Sequence, residues 1–235
     1  DTVNIGYMVY NSANGPKPDE MRQSAIKIGS KRIYRLFLKN YLETVDYLRK
    51  KFLNEGGELV FLFDNYTSRD ELRQMLKPLK ESDSRKDYNP DYKAGRKSQK
   101  AEFYNTLDTL RYYYLVGDTD VHTVRIPNLE ADDLVKPCLS FLRAKKPEAK
   151  VLLCTNDSDW CRYLDSNTSY LPELYKEPVG KEKFFERWGY HPTEDSIVLY
   201  KLLYGDDADN VKPVFPEFDS KIKRLIMEKF PSIVD

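Results

Sequence analysis

Val121-His122-Thr123-Val124-Arg125-Ile126 runs, after Pro127-Asn128-Leu129, into Glu130-Ala131-Asp132-Asp133-Leu134 and a helical stretch. An apolar strand that ends in acids and opens a helix is a unit of an α/β fold, and this chain repeats it. Upstream, Phe37, Tyr41, Val45, Leu48 and Phe52 step by three or four from Tyr34, the period of an amphipathic helix, before Gly56 and Gly57 stop it. The apolar run Leu59 to Phe63 follows and closes on Asp64. Downstream, Val151 to Cys154 leads into Thr155-Asn156-Asp157-Ser158-Asp159-Trp160. Fully apolar strands are those of a mainly parallel sheet covered by helices on both faces. Ligands of such sheets bind beyond the carboxyl ends of the strands, so acids at several strand ends are expected to converge on one crevice.

The chain has 235 residues, enough for one sizeable α/β domain without a disulfide or structural metal. Its 38 basic and 38 acidic residues cancel, so bulk charge does not announce a nucleic-acid partner and the distribution of charge must decide. Cys138, Cys154 and Cys161 form no Cys-x-x-Cys pair, and His122 and His191 are the two histidines, which argues against a zinc site and fits a reducing compartment. No apolar run is long enough to span a bilayer and the N-terminus lacks the pattern of a secretion signal, so a soluble, cytoplasmic protein with no membrane partner is expected.

Each acidic group has a bland alternative. Asp64 closes an apolar strand, where an uncompensated carboxylate is costly, yet an Asp before Asn65 also suits a turn. Glu130 and Asp133 share a helix face and Asp132 points elsewhere; acids in a first helical turn favour the helix dipole, but three in four residues repel unless a cation sits among them. Pro137, early in that helix, is expected to kink it or delay its start. Asp157 and Asp159, two apart, can approach one ion or form an Asx-turn; Asp206 and Asp209, three apart after Gly205, can present two carboxylates or cap the next helix. Together the groups favour hard cations with oxygen ligands, Mg²⁺ with Mn²⁺ as substitute, two or more of which can activate water and stabilise both oxygens of a phosphoryl transfer.

The order of these motifs resembles the 5′ nuclease superfamily of flap endonucleases and 5′-3′ exonucleases, most of all its bacteriophage members of the phage ribonuclease H type. Asp1-Thr2-Val3-Asn4 is similar to the family's Asp-Gly-Thr-Asn, with Thr2 in place of glycine. Glu130-Ala131-Asp132-Asp133 matches Glu-Ala-Asp-Asp residue for residue, Thr155 to Asp159 corresponds to Ser-Thr-Asp-x-Asp, and Gly205 to Asn210 to Gly-Asp-x-x-Asp-Asn. The resemblance implies one metal site served by Asp1, Asp64, Glu130, Asp132 and Asp133, directly or through water, and another served by Asp157, Asp159, Asp206 and Asp209. It also implies a PIN-like fold. The family places an apolar strand before the residue matching Asp1, so the numbering is expected to begin inside a longer chain.

Between Lys77 and Lys100 eight basic residues face four acidic ones, with few aliphatics. Within that stretch Tyr92-Lys93-Ala94-Gly95-Arg96 is similar to the family's Tyr-Lys-Gly-Asn-Arg at the base of a helical arch. By that resemblance Lys93 and Arg96 meet the scissile phosphate, Tyr92 stacks on a terminal base, and Lys97 and Lys100 add positive charge. The expected organisation is a nuclease core over 1–195, with an arch insertion at about 66–117, and a C-terminal helical element over 196–235. Where relatives have a glycine-rich hairpin, this chain has Val211-Lys212-Pro213-Val214-Phe215-Pro216, leaving Lys212, Lys221, Lys223 and Arg224 as contacts to duplex backbone.

The function expected is a monomeric, Mg²⁺-dependent 5′ nuclease acting at 5′ ends, flaps or nicks of DNA, RNA primers in RNA-DNA hybrids included, beside other replication proteins, and in a host's cytoplasm if phage-encoded. A PIN-like ribonuclease is the enzymatic rival, distinguished by digestion of single-stranded RNA against DNA flaps. A non-catalytic, structure-specific DNA-binding module is the other, distinguished by binding without cleavage.

Overall fold

In the computed structural model the described residues are 17–53, 56–64, 101–117, 121–126, 129–174, 176–207 and 210–230. The chain divides into two units. The first comprises the described residues of 1–65, 98–158 and 171–177, the second those of 66–97, 159–170 and 178–235.

The first unit opens with α1 (Pro18–Gln23) and an antiparallel hairpin of β1 (Ala25–Ile28) and β2 (Lys31–Tyr34), with Ala25 opposite Tyr34. This hairpin is absent from the sequence reading, because its strands carry no clean alternation: β1 is largely exposed. The predicted amphipathic helix is α2 (Arg35–Phe52), which buries Phe37, Tyr41, Thr44, Val45 and Leu48. Then β3 (Leu59–Leu62) pairs in parallel with β4 (Val121–Val124), Leu59 opposite Val121 and Leu62 opposite Val124. The Phe63 amide donates to the Val124 carbonyl at 3.0 Å and carries the ladder to the residue before Asp64.

Parallel strands require a crossover, and α3 (Ala101–Val116) lies between β3 and β4 in the chain and provides it. Phe103 and Leu110 are buried and Leu107 partly so, the 3.6-residue stripe of a core helix. Phe103 stacks on Phe37 with centroids 5.2 Å apart, Tyr114 meets Phe61 edge-on at 4.5 Å, and Thr106 Oγ1 accepts from the buried Tyr34 amide at 2.9 Å. Ala101–Val116, the last part of the stretch expected as an arch, is thus core structure; composition marks the change, since the basic run ends at Lys100. After β4, α4 (Ala131–Lys145) buries Ala131, Leu134 and Val135. It begins at Ala131 with Pro137 inside it, so of the two expected outcomes, a kink or a late start, the late start does not occur. The proline stands in the second turn, where its missing N–H forgoes the single bond to the Asp133 carbonyl. β5 (Val151–Cys154) spans the predicted apolar run.

The second unit packs around Cys161, Leu164, Tyr170, Val179, Phe184, Tyr190, Ile197, Leu203 and Met227. A 3₁₀ turn (Ser158–Tyr163) carries the buried Trp160, β6 (Thr168–Leu171) follows, and Tyr170 and Val179 exchange amide bonds at 3.0 and 2.8 Å. Then come α5 (Lys181–Trp188), ended by Gly189 in the left-handed region, α6 (Glu194–Tyr204) and α7 (Ser220–Lys229). Side chains cap the last two: Thr193 Oγ1 accepts from the Ser196 amide at 3.1 Å and Asp219 Oδ1 from the Ile222 amide at 2.8 Å.

Candidate metal centre

Three of the first unit's acids meet at the N-terminus of α4. Asp64, half-buried past the end of β3, accepts the Ala131 amide on Oδ1 at 2.6 Å across 67 residues of sequence. The Glu130 amide donates to Asp133 Oδ2 at 3.0 Å, the return arm of a capping box. Both bonds place anionic oxygen on amides at the positive end of the helix dipole. Asp132 sits half-buried between them in the chain. The bland and functional readings of these residues therefore coexist: the helix start is stabilised by the acids the resemblance assigns to metal. At the end of β5, Asp157 is turned by its amide, which donates to Oγ1 of the fully buried Thr155 at 3.1 Å. Burial pushes the nearby Cys154 thiol up to about 11.

In the second unit the carboxylates are answered by a cation. Lys201 Nζ lies 2.8 Å from Asp159 Oδ2 and 2.7 Å from Asp206 Oδ2, and all three side chains are about one-fifth exposed. Burial pulls the Lys201 pKa down, but the hydrogen bonds the ammonium donates to Asp159 and Asp206 outweigh it and hold the pKa above its ordinary value. Asp206 is set by the turn before it. Gly205 has φ 80° and ψ 174°, a conformation open essentially to glycine, and a Cβ there would stand 2.9 Å from both the Val211 carbonyl oxygen and Pro213 Cδ. The Asp206 and Val211 amides then exchange bonds at 2.8 Å each, closing the loop.

Among the described residues no three Asp, Glu, His or Cys side chains already stand in a metal-holding group. The Asp159 and Asp206 oxygens nevertheless converge on one point, which the Lys201 ammonium occupies. Two carboxylates with waters completing the shell suit Mg²⁺. Lys201 escaped the sequence reading. The signal was a lone charge in the apolar run Ile197-Val198-Leu199-Tyr200-Lys201-Leu202-Leu203-Tyr204, where a cation is costly without partners.

Asp1, Asp209, Tyr92, Lys93, Arg96, Lys97 and Lys100 lie outside the described residues. Of the C-terminal basic groups, Lys212 and Lys221 are exposed, Lys223 Nζ sits over the Tyr204 ring at 5.3 Å, and Arg224 Nε pairs with Glu228 at 3.1 Å. No helix among the described residues is long and apolar enough to cross a membrane.

This arrangement of helices and parallel strands is the α/β fold of a bacteriophage 5′-exonuclease. The chain is similar over its whole length to the bacteriophage T5 5′-exonuclease solved with divalent metal ions (zinc), at TM-score 0.67 and 19% identity, covering 75% of that chain. It is similar likewise to the bacteriophage T5 flap endonuclease solved as a pseudo-enzyme-product complex with DNA and metal ions, at TM-score 0.62, 19% identity and 75% of that chain. Residues 59–189 match the model of the 5′-3′ exonuclease N-terminal, resolvase-like domain, and the chain belongs to that family. In sequence it is 26% identical over 144 residues to a 5′-3′ exonuclease of Mycoplasmopsis pulmonis, covering 60% of this chain and 46% of that protein. It is 26% identical over 149 residues to DNA polymerase I of Lactococcus lactis subsp. cremoris, covering 61% of this chain and 16% of the polymerase. The chain thus spans less than half the length of these curated relatives.

Proposed function

We propose that this protein is a Mg²⁺-dependent 5′ nuclease that hydrolyses phosphodiesters at 5′ ends, flaps or nicks of DNA. The observation that carries the reading is the family's full set of acidic motifs in a chain of its fold, with Asp64, Glu130 and Asp133 gathered at one helix start and Asp159 and Asp206 gathered on one cation.

The assignment gives Asp1, Asp64, Glu130, Asp132 and Asp133 to one ion and Asp157, Asp159, Asp206 and Asp209 to another. Bound there, divalent ions would supply Lewis acidity for a water nucleophile and for the leaving oxygen. The chain's own residues do the rest. Amides at the start of α4 hold Asp64 and Asp133 in place, so their orientation costs little on binding. Lys93 and Arg96 neutralise charge on the phosphate, Arg96 with a planar fork suited to two oxygens. Tyr92 stacks on a terminal base, and Lys97, Lys100, Lys212, Lys221, Lys223 and Arg224 attract the duplex backbone, which predicts binding that weakens steeply with salt. RNA primers in hybrids fall within the same chemistry, since the phosphate rather than the sugar is the group addressed.

The experiment is hydrolysis of a 5′-labelled flap and a nicked duplex with Mg²⁺, with and without chelator. Cleavage is expected with Mg²⁺ or Mn²⁺ alone. The double variant Asp157→Asn with Asp159→Asn is expected to lose more than the roughly 10–100-fold typical of a supporting residue behind a metal ligand. Unchanged activity in that variant overturns the metal assignment, and preferential digestion of single-stranded RNA overturns the substrate.

A further inference from the structure

We propose that the Lys201 ammonium is a built-in counterion, which holds Asp159 and Asp206 together in the ion-free protein and is expelled when a divalent cation enters between them. The inference rests on the metal assignment above and adds how that site is kept and filled.

A single ammonium nitrogen stands 2.8 Å from one carboxylate and 2.7 Å from the other. Mg²⁺ sits about 2.0–2.1 Å from its oxygens, inside the space that the ammonium and its hydrogens take up. The two cannot share it, and cation repelling cation at such a separation in a partly buried place is severe. A divalent ion also brings these two carboxylates twice the charge that the ammonium does. The exit is built in: Lys201 has a flexible four-carbon stem and is 21% exposed, so its head can reach water while the stem remains among its neighbours. Without the lysine, Asp159 and Asp206 would repel each other whenever the ion is absent. With it, they stay oriented, and metal binding becomes an exchange of one cation for another, weaker than binding to bare carboxylates.

The test is Mn²⁺ binding to the full chain, followed by the loss of the free-ion EPR signal, in wild type, Lys201→Met and Lys201→Arg at fixed ionic strength. Lys201→Met, with no competing charge, is expected to bind Mn²⁺ about tenfold tighter at this site, the scale set by charge-assisted hydrogen bonds that no longer need breaking. Lys201→Arg, which keeps the charge, is expected to stay near wild type. A second measurement needs no variant: acylation of Lys201 in the wild type, quantified by mass spectrometry, is expected to rise several-fold when Mn²⁺ is added. Equal or weaker Mn²⁺ binding in Lys201→Met, or labelling of Lys201 that ignores Mn²⁺, overturns the counterion while leaving the nuclease reading intact. If neither wild type nor Lys201→Met binds Mn²⁺, the metal assignment falls and this inference with it.

Discussion

The two units solve the same electrostatic problem by different means. At the start of α4, Asp64 and Asp133 are met by backbone amides, fixed dipoles that cannot leave and that still allow a carboxylate oxygen to face a metal. Around α6, Asp159 and Asp206 are met by a full positive charge on a flexible stem, in the place proposed above for an ion. Amides orient without competing; an ammonium orients and competes. The first group is therefore expected to gain little order from metal, and the second to change partner outright.

The comparison breaks most completely at Gly205. An alanine there must adopt φ near 80° and ψ near 174° with its Cβ against the Val211 carbonyl, so Gly205→Ala is expected to cost roughly 3 kcal/mol, at the upper end of backbone strain. Denaturant unfolding measures the loss. Mn²⁺ binding should weaken with it, because Asp206 moves away from Asp159, while the Asp64 to Ala131 bond of the first unit stays as it is. The next effect is Lys201→Met without metal. Removing one partner of a partly buried ion pair leaves like charges facing each other, and with one-fifth exposure to screen them a loss of about 1–2 kcal/mol is expected. Added Mn²⁺ should return most of it to the variant and give less to the wild type. A stability that ignores the substitution would mean that the ammonium contributes nothing to holding the pair.

How legible all this was depended on whether a feature is local in sequence. α2 and β5 could be read because their apolar residues are set by nearest neighbours, and strands running into acids pointed to a parallel sheet, but which strands pair, β3 with β4, was not legible. α3 was taken for part of a basic insertion because Lys77 to Lys100 dominates the composition before it, although Phe103, Leu107, Leu110 and Tyr114 already carried a core stripe. The β1–β2 hairpin lacked an alternating signal. Within the candidate site the acids were visible as motifs, whereas their partners were not. The Asp64 to Ala131 bond joins residues 67 apart, and the Lys201 to Asp159 bond joins residues 42 apart. Only folding chooses such partners, though an isolated lysine in an apolar helix was an invitation to look for one.

The smallest expected effect separates the structural role of the first group from its role toward metal. Asp64→Ala removes the acceptor of the Ala131 amide and should cost about 1 kcal/mol, as loss of a helix N-terminal cap does, or roughly 2–4 °C in Tm for a chain of this size. Asp64→Asn keeps an oxygen where Oδ1 stands and loses the charge, so its stability should fall by no more than a few tenths of a kcal/mol. If Asp64 serves only the helix, the asparagine variant cleaves a 5′ flap as the wild type does and the alanine variant fails in step with its melting. If it also serves an ion, the two variants fail together in cleavage while differing in melting. Because either variant removes a charged oxygen proposed to face the ion, neither should bind Mn²⁺ more tightly than wild type, the reverse of what Lys201→Met is expected to do in the second unit.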